Sequence, residues 1–408
     1  MTALPLPRIP AADDVSSPVA DEPVALLQLD LSDPVEAASA VYRQVRRGRR
    51  VVAVACGGAE APTRLAEALD AIGVAAVRPA PGEALLHDGV TVVPGPETAV
   101  ARARPGQLRP LRVALAGCGV VGGGVLPRLL ADAGFEVVGV LVRNPDKARD
   151  PAIPQGLLLS DPAALLAREP DVVVEAISDA STGLALIRAA LSRGVHVVSA
   201  NKQAVGGDLP GLTALAESAG ARLLYSASVG GGSPLIEAVR RAAAQGEIIR
   251  IEAVLNGTCN FILNRLADGG AFGDALNAAR EAGFAEEDPS ADLTGLDAAA
   301  KLAILAYEGL EQPLRIEDVS RQTLSADSVL PSGRVRQIAR LDVASGRAGV
   351  AFEAVDGDVL FADLPDEANA LRVTLADGRV FTATGRGAGR RPTAESVWAD
   401  LEDLLENR

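Results

Sequence analysis

Residues Val113–Val125 read VALAGCGVVGGGV, and the order of residue types in this stretch decides the fold. An apolar run, Val113 to Ala116, breaks at Gly117-x-Gly119-x-x-Gly122, and a helical pattern follows through Val125, Leu126, Leu129 and Leu130. Strand, tight turn and helix succeed one another. The first glycine lets the chain reverse, the second lets the backbone approach a pyrophosphate, and the third lets helix and strand pack closely, with phosphate at the helix N-terminus. A dinucleotide site is expected there, built on Gly117, Gly119, Val120, Val121 and Gly122.

Working outward, FEVVGVLV (135–142) reads as the second strand, and it ends in Arg143-Asn-Pro-Asp-Lys147. A site selecting NAD places an acidic residue near this position to hold the ribose 2′-hydroxyl, whereas a 2′-phosphate asks for arginine. Arg143 and Lys147 lean the choice to NADP over NAD, although both also suit ordinary solvated charges. DVVVEAIS (171–178) reads as a buried strand, Thr182–Arg193 as a helix and VHVVSA (195–200) as a further strand. Alternation of this kind predicts an α/β fold of Rossmann type, a doubly wound parallel sheet. The last strand delivers Ala200-Asn201-Lys202 to the carboxyl edge of the sheet, where ligands bind in this architecture. Beyond it lie the glycine run Ser228–Pro234 and IIRIEAVLNGTCNFIL (248–263), a strand that turns at Asn256-Gly257-Thr258 into a helix.

Composition bounds what these elements serve. The 408 residues suffice for two or three domains, and 48% hydrophobic with 23% charged residues is ordinary for a globular protein. A formal net charge of −14 argues against nucleic acid and anionic membrane as partners and leaves a small molecule. Cys56, Cys118 and Cys259 are odd in number and lack metal-ligand spacing, which fits a reducing cytoplasm. His87 and His196 are the two histidines, too few for a zinc site, and His196 reads as a strand residue. Neither a signal peptide nor an apolar run long enough to span a bilayer is legible.

The N-terminal quarter reads as two parts: a disordered tail, residues 1–22, and a small α/β unit over 23–105. In that unit VALLQLD (24–30) and VVAVAC (51–56) are strands, Pro34–Val45 is a helix, and Thr63–Ile72 is a second helix with Thr63 as a candidate N-cap. Its layout resembles the opening of amino-acid kinases of the aspartate kinase type. Where those carry a lysine and a glycine pair, this chain reads LQLDLS (27–32), so a packing or assembly role is expected rather than kinase activity. PGQLRP (105–110) reads as a linker.

From about residue 111 to 408 the chain resembles homoserine dehydrogenase, matched in order by GCGVVGGGV, ANK, SVGGGSP, NGTCNFIL, AEEDPSADLTGLDAAAK (285–301) and TGRGAGRRPTAESVWADL (384–401). The resemblance implies NADP- or NAD-dependent interconversion of aspartate 4-semialdehyde and homoserine. It implies a nucleotide domain (106–245), a second α/β domain for substrate and dimerisation (246–384), a returning C-terminal segment (385–408), and a homodimer or higher homo-oligomer. A regulatory ACT domain is not expected. By resemblance Lys301 is the proton donor, Asp297 its partner, and Lys202 a contact to cofactor and substrate; either lysine could act as the acid. Glu286 and Asp292 match carboxylates that hold the substrate ammonium. Ser178 falls on the nicotinamide side, and Gly389 matches a cofactor-contacting glycine. Where the family carries a glutamate in a monovalent-cation site, this chain has Ser226, which brings no charge; Val229 and Gly231 would supply the remaining backbone carbonyls. Two readings compete with the standard one: a same-fold dehydrogenase acting on a related small amino-acid aldehyde or alcohol, and a non-catalytic assembly subunit.

The residues argue for the chemistry apart from the name. Asp297 and Lys301 are spaced i, i+4, so a helix puts them on one face. A second lysine nearby lowers the pKa of the first and favours proton release to a developing alkoxide.

Overall fold

The computed structural model describes residues 24–78, 90–95, 109–149, 152–285, 287–310, 314–366, 368–387 and 389–407. The expected tail and most of the expected linker lie outside them. The chain divides into two compact units, Met1–Gln107 and Leu108–Arg408.

The first unit alternates strand and helix: β1 (Val24–Asp30), α1 (Pro34–Arg46), β2 (Arg50–Cys56), α2 (Ala61–Ala71), β3 (Ala76–Val77) and β4 (Val90–Pro94). Its strands are parallel in the order β1-β2-β4-β3, and β2 is buried at every position, as a central parallel strand covered on both faces should be. The Asp33 side chain caps α1 by accepting the N–H groups of Val35 and Glu36. Thr63 is not a cap. Helix α2 begins two residues earlier, where Pro62 suits the first turn, and the Thr63 hydroxyl instead accepts from Arg78 at 2.9 Å.

The second unit opens with the quoted stretch as β5 (Leu111–Ala116) and α3 (Val120–Ala131). Then come β6 (Phe135–Leu141), β7 (Leu158–Leu159), α4 (Pro162–Leu166), β8 (Val172–Glu175), α5 (Ala180–Leu191), β9 (His196–Ser199), α6 (Lys202–Gly206), α7 (Leu209–Ser218) and β10 (Leu223–Leu224). These strands form one parallel sheet in the order β10-β9-β8-β5-β6-β7, with the chain crossing from one side of β5 to the other. That reversal creates the crevice in which a doubly wound sheet binds its ligand. Strand β8 ends at Glu175, three residues short of the expected Ser178, because the Glu175 side chain captures the N–H of Ile177 at 2.9 Å. His196 is a strand residue whose Nδ1 accepts the N–H of Arg222.

Helix α8 (Leu235–Gln245) leads to β11 (Ile248–Val254), α9 (Gly257–Ala267), α10 (Phe272–Glu281), α11 (Ser290–Leu293) and α12 (Leu296–Leu310). Strands β12 (Ser320–Arg321), β13 (Val335–Asp342), β14 (Arg347–Ala354), β15 (Ala368–Leu375) and β16 (Val380–Arg386) complete a mixed sheet ordered β12-β14-β13-β11-β15-β16. One apolar core joins the two sheets: Ala114 and Val173 beneath the first belong to the same cluster as Leu302, Ile251 and Val373. Helix α13 (Arg390–Glu406) carries Pro392 in its first turn, where proline is tolerated. It packs Val397, Trp398 and Leu401 into the cluster of Leu111, Leu126 and Leu129. Arg128 stacks over the Trp398 ring at 4.1 Å and pairs with buried Glu395 at 2.7 Å. Leu130 departs from the expected apolar face of α3 and is 46% exposed. No helix among the described residues is long and apolar enough to cross a membrane.

Candidate active site

The chain after β11 makes the floor of a charged cluster. The Leu255 carbonyl projects there, and Asn256 caps α9 by accepting the Cys259 N–H at 2.8 Å. Helix α12 presents Asp297 and Lys301 one turn apart, with Lys301 Nζ donating to Asp297 Oδ2 at 2.8 Å and to the Leu255 carbonyl at 2.6 Å. From the other sheet, the turn after β9 brings Lys202 Nζ to 2.6 Å from Asp297 Oδ1. One carboxylate therefore bridges two ammonium groups that are 99 residues apart in sequence, 202 against 301. The Asn256 amide donates to both Asp297 Oδ2 at 2.9 Å and Asp292 Oδ1 at 2.6 Å, and the Thr258 hydroxyl lies 3.1 Å from Asp292 Oδ2.

Burial sets the proton affinities. Asp297 and Lys301 side chains are 3% and 10% exposed, whereas Lys202 is 36% exposed and faces the crevice. Burial alone would raise the Asp297 carboxyl, but the ammonium groups of Lys301 and Lys202 outweigh it and hold Asp297 well below the usual carboxylate range. For Lys301, burial pushes the ammonium below its ordinary value; Asp297 opposes the fall and Lys202 adds to it. Asp292 is raised by burial first and by the Asp297 charge second. The Cys259 thiol is pushed well up by burial and by Asp292 and Asp297, so it is inert packing.

The glycine turn is shaped to hold a dinucleotide. Gly117 has φ +95° and a Cβ there would strike the Ala176 carbonyl at 2.5 Å; a Cβ on Gly122 would lie 1.9 Å from the Gly117 carbonyl. At Gly119 a Cβ would meet open space, and Val120 is 65% exposed at the start of α3, so the turn opens toward the crevice. Arg143, Lys147 and Ser178 are exposed at the same edge. Arg143 is near enough to help lower Asp179, the cap of α5, after the hydrogen bonds from Thr182 and Ser181. Gly389 has φ +118° and precedes α13, whose first residue, Arg390, donates to the Gly123 carbonyl on α3 at 3.0 Å.

Two expected features stand differently. Ser226 lacks charge, yet a carboxylate is present: Asp400 on α13, with no exposed surface, accepts the Ser226 N–H at 3.1 Å and its hydroxyl at 2.9 Å. The Gly231 carbonyl accepts the Ser396 hydroxyl at 2.5 Å, and Val229 is buried. Ser226 and one of the two expected carbonyl ligands, Gly231, are thus engaged with α13, and no cluster of His, Cys, Asp or Glu among the described residues could hold a metal ion. Glu286 lies outside the described residues.

Sequence reasoning missed Asn256, the Leu255 carbonyl and Arg149. The cap preference of Asn256 was the available signal. Arg149 donates to the carbonyls of Asn144 at 2.5 Å and Lys147 at 2.6 Å; burial pushes the Cys118 thiol of the glycine turn up, and Arg149 and Arg390 offset part of that rise.

Two family models match the chain: "Homoserine dehydrogenase, NAD binding domain" over residues 117–226 and "Homoserine dehydrogenase" over residues 234–401. A homoserine dehydrogenase of Synechocystis sp. is 34% identical over 318 residues, 72% of this chain and 73% of that protein. A solved homoserine dehydrogenase from Thiobacillus denitrificans superposes with TM-score 0.66 at 33% identity, covering 72% of this chain and 73% of that one. A hyperthermophilic archaeal homoserine dehydrogenase in complex with NADPH shares the fold, with TM-score 0.66 at 24% identity over 73% of this chain and 98% of that one.

Proposed function

The chain belongs to the homoserine dehydrogenase family, the NAD(P)-dependent oxidoreductases that interconvert L-aspartate 4-semialdehyde and L-homoserine, and from that premise we propose that Lys301 is its proton donor. The observation that carries this is the coordination of Lys301 Nζ. An ammonium has three hydrogens; Leu255 and Asp297 take two, and the third is left for a substrate oxygen. When bound, the nicotinamide dinucleotide supplies the hydride for reduction and takes it up in oxidation. In reduction Lys301 gives its proton to the carbonyl oxygen as that oxygen gains negative charge, so an N–H bond breaks as an O–H bond forms. The neutral amine that remains keeps both hydrogen bonds and is ready to take the proton back in homoserine oxidation. Asp297 orients both lysines, and Lys202, the more exposed, faces substrate and cofactor. Asp292, with Glu286, would hold the substrate ammonium.

Gly117, Gly119, Val120, Val121, Gly122 and Gly389 fit the pyrophosphate, and Arg143 with Lys147 favours NADP over NAD. Ser178 would lie beside the nicotinamide. The same reading takes the enzyme to be a cytoplasmic homodimer or higher homo-oligomer, which light scattering reads directly. The deciding experiment is homoserine-dependent reduction of NADP and NAD by the purified wild type and Lys301→Ala. Turnover by the wild type and its collapse in the variant support the reading; equal turnover removes Lys301 as the acid.

A further inference from the structure

Glu175, the last residue of β8, has no exposed surface. Its Oε1 accepts the N–H of Ile177 at 2.9 Å and the Asn201 amide at 3.3 Å, and its Oε2 accepts the Ser199 hydroxyl at 2.6 Å. The Ser199 oxygen in turn accepts the Asn201 N–H at 3.1 Å, and the Asn201 amide also donates to the Ile177 carbonyl at 2.9 Å. One carboxylate thus ties the end of β8 to the end of β9. Asn201 also acts on the next helix, because its Oδ1 accepts the Ala204 N–H at 3.1 Å and caps α6, whose first residue is Lys202. Helix α5 leaves room for this hub. A Cβ on Gly183 would stand 2.9 Å from Glu175 Oε1 and 2.7 Å from Asn201 Nδ2.

All three donors are neutral, and burial pushes the Glu175 carboxyl above its ordinary value against their pull. An apolar pair would join two adjacent strands at lower cost than a buried acid. What the acid adds is direction. Its two oxygens dictate where Asn201 and Ile177 stand, and those residues flank Lys202 on one side and Ser178 on the other.

We infer that Glu175 is a positioning residue that sets the Ala200–Lys202 turn so that Lys202 Nζ meets Asp297. It acts through Lys202, so the inference rests on the reading of the Lys202, Asp297 and Lys301 cluster as the reacting centre.

The test is a double-mutant cycle on Glu175→Gln and Lys202→Met, reading kcat, KM and the NADP dissociation constant for each variant. Gln keeps the shape but replaces one acceptor with a donor: turned to Ile177 it opposes an N–H, and turned to Ser199 it leaves the buried Ser199 hydroxyl proton without its acceptor. The expected result is a kcat loss of about 10- to 100-fold, as a displaced catalytic group gives, with NADP binding within about threefold of wild type. In the Lys202→Met background the same change should cost less than about twofold, since a residue acting through Lys202 has nothing left to position. An undiminished Glu175→Gln loss in an impaired Lys202→Met background overturns the inference and leaves the reading of the site intact. Full turnover by Lys202→Met alone overturns the inference and the role given to Lys202, while Lys301 as the acid stands or falls by Lys301→Ala. Gly183→Ala serves as a second probe: its methyl group would stand 2.9 Å from Glu175 Oε1 and 2.7 Å from Asn201 Nδ2, so the hub must shift, and a thermal melt checks that the fold is kept. It should show the same fall in kcat and the same dependence on Lys202, and an unchanged kcat would overturn the inference.

Discussion

Two ionic networks sit on the second unit, and they differ in what burial does to them. Around Asp297 two lysines converge on one carboxylate that is 3% exposed. On the mixed sheet, Glu252 lies between Arg340 at 3.0 Å and Arg372 at 3.6 Å, and those arginines reach Glu353 and Asp358 at 2.6 Å each. Register explains the second network: β11 pairs Glu252 with Arg340 on one side and Arg372 on the other, so the three share one face. Its arginines are 38% and 25% exposed, and water screens them. Each such pair is worth roughly 0.2–1 kcal/mol, and arginine stays charged whatever its surroundings. Around Asp297 the same kind of attraction, dried out, moves proton affinities instead, because a lysine can lose its proton and arginine cannot. Burial and the choice of cation separate a lattice of fixed charges from a cluster whose proton affinities are shifted.

The comparison can be broken at several points. Lys301→Ala should lower kcat by roughly 10² to 10⁴ while the NADP dissociation constant, followed by fluorescence titration, barely moves. Asp297→Asn keeps the shape and removes the charge that props up Lys301, and turnover should fall about 10²-fold. Its pH profile sharpens the point. Lys301 must be protonated for aldehyde reduction, so activity is lost as pH rises through its pKa, which already lies below the ordinary 10.5. With Asp297 neutralised that pKa falls further, and the alkaline limb must move to lower pH; a limb that stays put would show that another group carries the proton. Arg143→Ala should weaken NADP about 10-fold and leave NAD nearly unaffected, as loss of one charged contact to a 2′-phosphate implies. Arg372→Ala, in the exposed lattice, should leave kcat unchanged and lower stability by at most about 1 kcal/mol in thermal melts. The smallest effect is expected from replacing sodium with potassium in the assay: Ser226 and Gly231 are already engaged by Asp400 and Ser396, so turnover should not change.

Much of this was legible before the fold was known. The glycine turn, the i, i+4 pair of Asp297 and Lys301, the strand-to-helix turn at Asn256 and the delivery of Lys202 to a sheet edge all depend on residues within a turn or two of each other. Thr63 misled because Pro62 beside it is the stronger start signal. In the C-terminal helix Pro392 likewise looks like a break but is permitted in a first turn.

By itself, then, the sequence determined the parallel nucleotide sheet, the order of its motifs and the family, because periodicity and turn chemistry are local properties of the chain. Tertiary structure alone decided that Lys202 and Lys301 share one carboxylate, that the Leu255 carbonyl holds the Lys301 ammonium, that Asp400 accepts the Ser226 hydroxyl, and that Glu175 binds two strand ends together. Those contacts join residues far apart in sequence. Their strength comes from burial, which belongs to the packed molecule and to no segment of it.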